Sequence, residues 1–186
     1  MANKKILYLI ILFGLILRIV YYLNFAYYKN IDGYLSIGRV LHETKTFGGD
    51  RQYYEDAKYD SSYIESRFNN KKNPIVVRNG KKIILTAILP FGWPFQITVI
   101  YSIFGKNNID ALLIYNIILS TITIYLFYKI ASKFFNPEIG LISSFFAAID
   151  PSFITECART LTDTSFLFFF MLSIYFFIST LDYKLL

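Results

Sequence analysis

Between Ile6 and Phe25 the chain runs for about the thickness of a bilayer with a single charged residue, Arg18. A transmembrane helix needs roughly 20 mainly apolar residues, because in hydrocarbon each backbone N–H and C=O must be satisfied within its own segment. Three further stretches meet or approach that length: about Ile109–Phe127, Ile139–Ile154 and Ser165–Thr180. The chain is 55% hydrophobic and 19% aromatic, far more apolar surface than the polar remainder can cover. The expected fold is an all-α polytopic membrane protein with about four spanning helices, organised as one membrane domain over residues 1–186. The first run is not a cleaved signal peptide. Its apolar core is too long, and Asn24, Phe25, Ala26, Tyr27 and Tyr28 follow in place of a small-residue cleavage site.

Most of the polar residues lie between the first and second spans, at about 29–107. Short basic flanks orient the chain. Lys4 and Lys5 precede the first span, Lys129 and Lys133 flank the link between the second and third, and Lys184 follows the fourth. All become cytoplasmic if the N-terminus is cytoplasmic and 29–107 and 155–164 lie outside; long loops are exempt from the charge rule. This requires Phe91–Phe104 to lie on the outer membrane face. Its strongly apolar part, Ile97–Phe104, is short for a span, Trp93 and Tyr101 suit the headgroup level, and Pro94 fits a first helical turn. The alternative is that Ile83–Phe104 crosses the membrane with Pro90 and Pro94 as kinks. A second interfacial helix is expected at about 33–46. There Tyr34, Ile37, Val40 and Leu41 share a face, Asp32 stands in N-cap position, and Gly48 and Gly49 end the helix.

One cysteine, Cys157, excludes an intramolecular disulfide and a cysteine-based metal site, and one histidine, His42, excludes a histidine cluster. No metal and no cofactor are expected. The net charge of +6 comes mainly from the long loop, where bases alternate with acids. It fits a solvated loop near anionic headgroups, and no nucleic-acid partner is expected.

Asp32 and Asp163 are the candidate catalytic acids, placed on the same outer side by this topology. Either can also serve as a helix cap, and the two roles are compatible. Arg159 lies four residues before Asp163, so on a helical turn the two would share a face. Arg18 is ionisable inside a span, which makes it a functional candidate unless it snorkels to the interface. His42 reads as a surface residue or a catalytic one.

The order of features resembles the N-terminal part of the GT-C glycosyltransferases, which include protein O-mannosyltransferases and bacterial lipid A aminoarabinose transferases. The matching residues are Asp32 after the first span, Leu89-Pro-Phe-Gly-Trp-Pro94, Phe104-Gly105, Asn116, Lys129-Ile-Ala-Ser-Lys-Phe-Phe135, Asp150-Pro151 and Arg159-Thr-Leu-Thr-Asp163. The resemblance implies sugar transfer from a polyprenyl-phosphate donor to a lipid, glycan or protein acceptor, in contact with membrane lipids and without a nucleotide. It maps Asp32 to the catalytic acid of the first outer loop, and Asp163 with Arg159 to the charged pair of the second. Phe91 replaces the second proline of the family's proline pair, and no lysine precedes Pro90. Donor phosphate binding then falls to Lys81 and Lys82, with Trp93 counted among the substrate-binding residues.

Family members run to several hundred residues, so the chain is expected to be the N-terminal part of a longer enzyme. The rival expectation is a non-catalytic membrane partner or lipid-binding subunit on the same scaffold. A transporter or channel fragment fits less well, because the acids fall at span ends.

Overall fold

The computed structural model describes residues 2–26, 33–56, 58–70, 73–85 and 90–182. The chain is an all-α polytopic membrane protein, with one small sheet set in its long polar segment. It divides into two compact units: residues 1–27 with 113–186, and residues 28–112.

The first unit is a helical bundle. Helix α1 (Ala2–Phe25) supplies the first span, Lys4–Phe25. Helix α6 (Ile109–Phe134) supplies the second, and α9 (Asp163–Asp182) the third, Asp163–Thr180. Residue pairings give their directions. Arg18 bonds Ser120, and a Cβ on Gly14 would meet Ile124 at 2.5 Å, so α1 and α6 run antiparallel. Asn116 bonds Arg159 at one end and Lys133 bonds Ser179 at the other, so α6 and α9 run parallel. Helix α7 (Pro137–Ile149) forms a hairpin with α6, where a Cβ on Gly140 would stand 2.9 Å from the Tyr128 carbonyl oxygen. Small residues at such crossings let helix backbones approach where no hydrophobic force separates protein from lipid.

The expected span Ile139–Ile154 is not one helix. It breaks after Ile149, and a separate short helix, α8 (Pro151–Glu156), follows. The cause is local. Pro151 has no N–H to continue the ladder, and the Asp150 carboxylate accepts from the Ser152 and Phe153 amides at 2.8 and 3.1 Å, starting a new helix.

The second unit is built on α2 (Tyr34–Thr44) packed against α5 (Gly92–Phe104). Their contact is close at Gly38, where a Cβ would meet Ile97 Cγ2 at 2.5 Å, and the Thr98 hydroxyl donates to the Gly38 carbonyl at 3.1 Å. Around them lie β1 (Gly48–Gly49), α3 (Arg51–Asp56), α4 (Ser61–Asn69), β2 (Ile75–Arg78) and β3 (Lys81–Leu85). The antiparallel sheet has the order β1-β3-β2. The turn between β2 and β3 is Asn79-Gly80, both with positive φ (50° and 74°), the combination a tight hairpin of right-handed twist requires. Ile37, Tyr53, Tyr54, Ile64 and Ile84 form the core.

Two details of α2 differ from the sequence expectation. The N-cap residue is Gly33, left-handed at φ 73°, with no side-chain cap bond, and Asp32 lies outside the described residues. The helix ends at Thr44 with Lys45 left-handed, while Gly48 and Gly49 pair with Leu85 and Ile84 of β3 instead of ending it.

An ionic cluster holds these elements together. Arg39 makes a two-pronged contact with Asp50 (3.0 and 3.1 Å), and Glu43 pairs with Lys81 (2.6 Å) and Lys106. Burial alone would raise the Glu43 carboxyl, but hydrogen bonds from Lys106 and Lys81 outweigh it and hold the group down at about 2.

Candidate active site

The Asp150–Pro151 break turns the chain out of α7 and leaves α8 and the segment 157–162 beside the N-terminal half of α6. Asn116, fully buried in α6, donates its amide to the Arg159 carbonyl at 3.0 Å and ties that segment down. The chain then enters α9 at Asp163, with the Thr162 carbonyl accepting the first helical bond from the Phe166 amide at 2.8 Å.

These elements enclose a cavity of about 240 Å³ within the helical unit. Its lining is Ser120 and Thr123 from α6, Ser152, Phe153 and Glu156 from α8, and Asp163, Thr164 and Leu167 from α9. Two residues with carboxylates and four with hydroxyls therefore border one space, but the surface they and Phe153 and Leu167 present to it is mainly apolar. Ser120 and Thr123 lie 11 and 14 residues into α6, roughly 17–21 Å along its axis, so the cavity is sunk well below that helix's first residue.

Asp163 is on the lining, in the first turn of α9, where a negative charge is favourable to the helix dipole. Arg159 does not share a helical turn with it, because 157–162 is not helical. Its guanidinium instead donates to Glu156 Oε1 at 2.8 Å, with the Arg159 side chain 44% exposed. Among the described residues that contact engages one of its five donors, and a guanidinium can offer the others to an anion. Glu156 Oε2 is buried and has no hydrogen-bond partner among the described residues. Cys157 is fully buried, and that burial pushes its thiol up to about 11, as for a cysteine packed in a core.

The remaining candidates belong to the other unit. Lys81 is held by Glu43 and, at 3.8 Å, by Asp50. Lys82 is exposed and lines a separate cavity of about 370 Å³ with Asp50, Arg51, Gln52, Glu65, Phe68, Asn69 and Lys81. Trp93 is 2% exposed and Tyr101 3%, so both are packed inside the unit. His42 is partly buried and makes an edge contact with the Tyr101 ring.

Glu156 was not among the site residues expected from the sequence, and Asn116 was noted there only as part of the family resemblance. A signal for Glu156 was present: an acid at the end of a six-residue helix that Pro151 opens between two apolar runs.

A model of the dolichyl-phosphate-mannose-protein mannosyltransferase family matches residues 89–185, which include α5, all of α6–α9 and thus the whole cavity lining. No curated protein and no solved structure matches the chain. On this match over half its length, together with the spanning helices, the chain belongs to the dolichyl-phosphate-mannose-protein mannosyltransferase family, membrane glycosyltransferases of the GT-C type.

Proposed function

We propose that the protein transfers a sugar from a polyprenyl-phosphate donor to a lipid, glycan or protein acceptor at the outer face of the membrane. The observation that carries this reading is the cavity itself. Its mainly apolar surface suits the prenyl part of such a donor, Asp163 and Glu156 on its wall suit the sugar, and a half-exposed guanidinium stands beside it for a phosphate. Its position partway down α6 suits a substrate whose lipid chain stays in the bilayer.

In this mechanism the acceptor oxygen or nitrogen attacks the anomeric carbon, and the bond from that carbon to the donor phosphate oxygen breaks. The acceptor's proton passes to a carboxylate, and polyprenyl phosphate leaves as an anion. Asp32 is proposed as the base, from its place after the first span. Arg159 is proposed to stabilise the leaving phosphate, and Asp163 with Glu156 to hold sugar or acceptor hydroxyls.

Two observations support an outer location for residues 28–108. Helices α1 and α6 are antiparallel, so the segment between them leaves and re-enters at one end of the helical unit. Helix α5, at 13 residues, is about 20 Å long against roughly 30 Å of hydrocarbon. Phe91, its cap residue, with Phe95, Val99 and Ile103, four residues apart and all exposed, gives it a stripe suited to lying on the bilayer surface.

The test is transfer of labelled sugar from a polyprenyl-phosphate donor, using Asp32→Asn and Asp163→Asn in the full-length protein. Each variant is expected to lose at least about 100-fold in rate while inserting at the normal level. Wild-type rates in both would remove the reading.

A further inference from the structure

The least expected group in the bundle is Arg18, which is fully buried in α1 and shows no snorkelling. Its partners explain why it is tolerated there. The Ala147 carbonyl of α7 would ordinarily accept from the amide four residues on, but that residue is Pro151, which has none. The Ala148 carbonyl would accept from the Ser152 amide, but that amide is taken by Asp150. The helix break therefore orphans the carbonyls of two buried residues, Ala147 and Ala148. Arg18 takes both, donating from Nη2 to Ala147 at 3.2 Å and from Nη1 to Ala148 at 3.1 Å; Nη1 also bonds Gly14 of its own helix at 3.0 Å. Its charge sits at the negative end of α7.

The third donor leads to the cavity. Arg18 Nε donates to Ser120 Oγ at 2.7 Å, and the Ser120 hydroxyl donates onward to the Phe153 carbonyl of α8 at 3.3 Å. Ser120 and Phe153 both line the cavity, whereas Arg18 does not. One guanidinium thus joins α1, α6, α7 and α8 at the level of the candidate site.

We infer that Arg18 is a positioning residue for the active cavity: it holds α8, and with it Ser152, Phe153 and Glu156, through Ser120 and the end of α7. The catalytic part of this inference rests on the proposed glycosyl transfer; the structural part does not.

The test compares wild type with Arg18→Met, Ser120→Ala, the double variant and Ser120→Thr, full-length and in nanodiscs. Two readouts are taken: amide hydrogen exchange over 152–156 without substrate, and kcat and KM for a polyprenyl-phosphate sugar donor. Arg18→Met and Ser120→Ala are each expected to speed exchange in α8 at least tenfold while α9 is unchanged. Both are expected to lower kcat about tenfold with KM within twofold, and Ser120→Thr restores both readouts. Because the two residues act in series, the double variant should lose no more kcat than Arg18→Met. Should Arg18→Met fail to insert, Ser120→Ala carries the test alone. Unchanged exchange in α8, additive kcat losses, or a kcat that follows only the amount of folded protein would overturn the inference. Absence of transfer in wild type would instead remove the glycosyl-transfer reading, and exchange would then decide whether Arg18 holds α8.

Discussion

At the scale of single residues, charge in this protein is placed by local chemistry more than by position along a span. Arg18 was conspicuous in the sequence, but its partners follow from a proline 133 positions away. Glu43 is the counterpart in the second unit. Its folded-state value of about 2 lies below the ordinary glutamate value near 4.3, so its ion pairs stabilise the fold above that ordinary value. The contribution is lost as pH falls from about 4.3 towards about 2. Glu43→Gln should cost about 1–2 kcal/mol at pH 7, the low end for charged hydrogen bonds because Lys81 and Lys106 are 39% and 49% exposed. Thermal unfolding in detergent at pH 6 and pH 3 checks this. The wild type should lose stability on acidification, and the variant should lose distinctly less.

At the scale of elements, glycines mark where helices touch. A side chain at Gly140 would press on Ser132 and on the Tyr128 carbonyl, and backbone cannot move aside as a side-chain tip can. Gly140→Leu is expected to open the α6–α7 hairpin and destabilise the bundle by about 1–3 kcal/mol. Gly92→Ala, with nothing within 4 Å of the added Cβ, should stay within about 0.5 kcal/mol of wild type. The melting temperatures of the two variants, purified in parallel, distinguish these outcomes. Elements also separate what was legible in the sequence from what was not. The helix at 92–104 appears within one residue of expectation, since its apolar run, Pro94 and the following Gly105 leave little choice. The β2–β3 hairpin was missed although Asn79-Gly80 between Ile-Val-Val-Arg and Lys-Lys-Ile-Ile-Leu is a strong hairpin signal. The surrounding Tyr, Asn, Lys and Asp residues made the stretch read as loop.

At the scale of the whole chain, the directions of α1, α6, α7 and α9 make a definite topology testable. With the N-terminus cytoplasmic, a tag at Asn107 should report the outer face and one at Lys133 the cytoplasm. A cytoplasmic tag at Asn107 would mean that α5 or its approach crosses the bilayer. Accessibility labelling of single-cysteine variants at the two positions, in a Cys157→Ser background, provides the measurement.

The sequence by itself determined the solvent this chain folds in, the existence of its spanning helices and the candidacy of Asp163. Apolar run length and the need to satisfy backbone groups within a segment are properties of consecutive residues, and both can be read without coordinates. Only the tertiary structure decided that the third apolar run is two helices and that Arg159 turns to Glu156. It likewise brought Glu156, Asp163 and four hydroxyl-bearing residues around one cavity, and buried Arg18 against Ser120 of its wall. These outcomes depend on which orphaned carbonyl or carboxylate lies nearest across the bundle, and that distance appears only when separate helices pack.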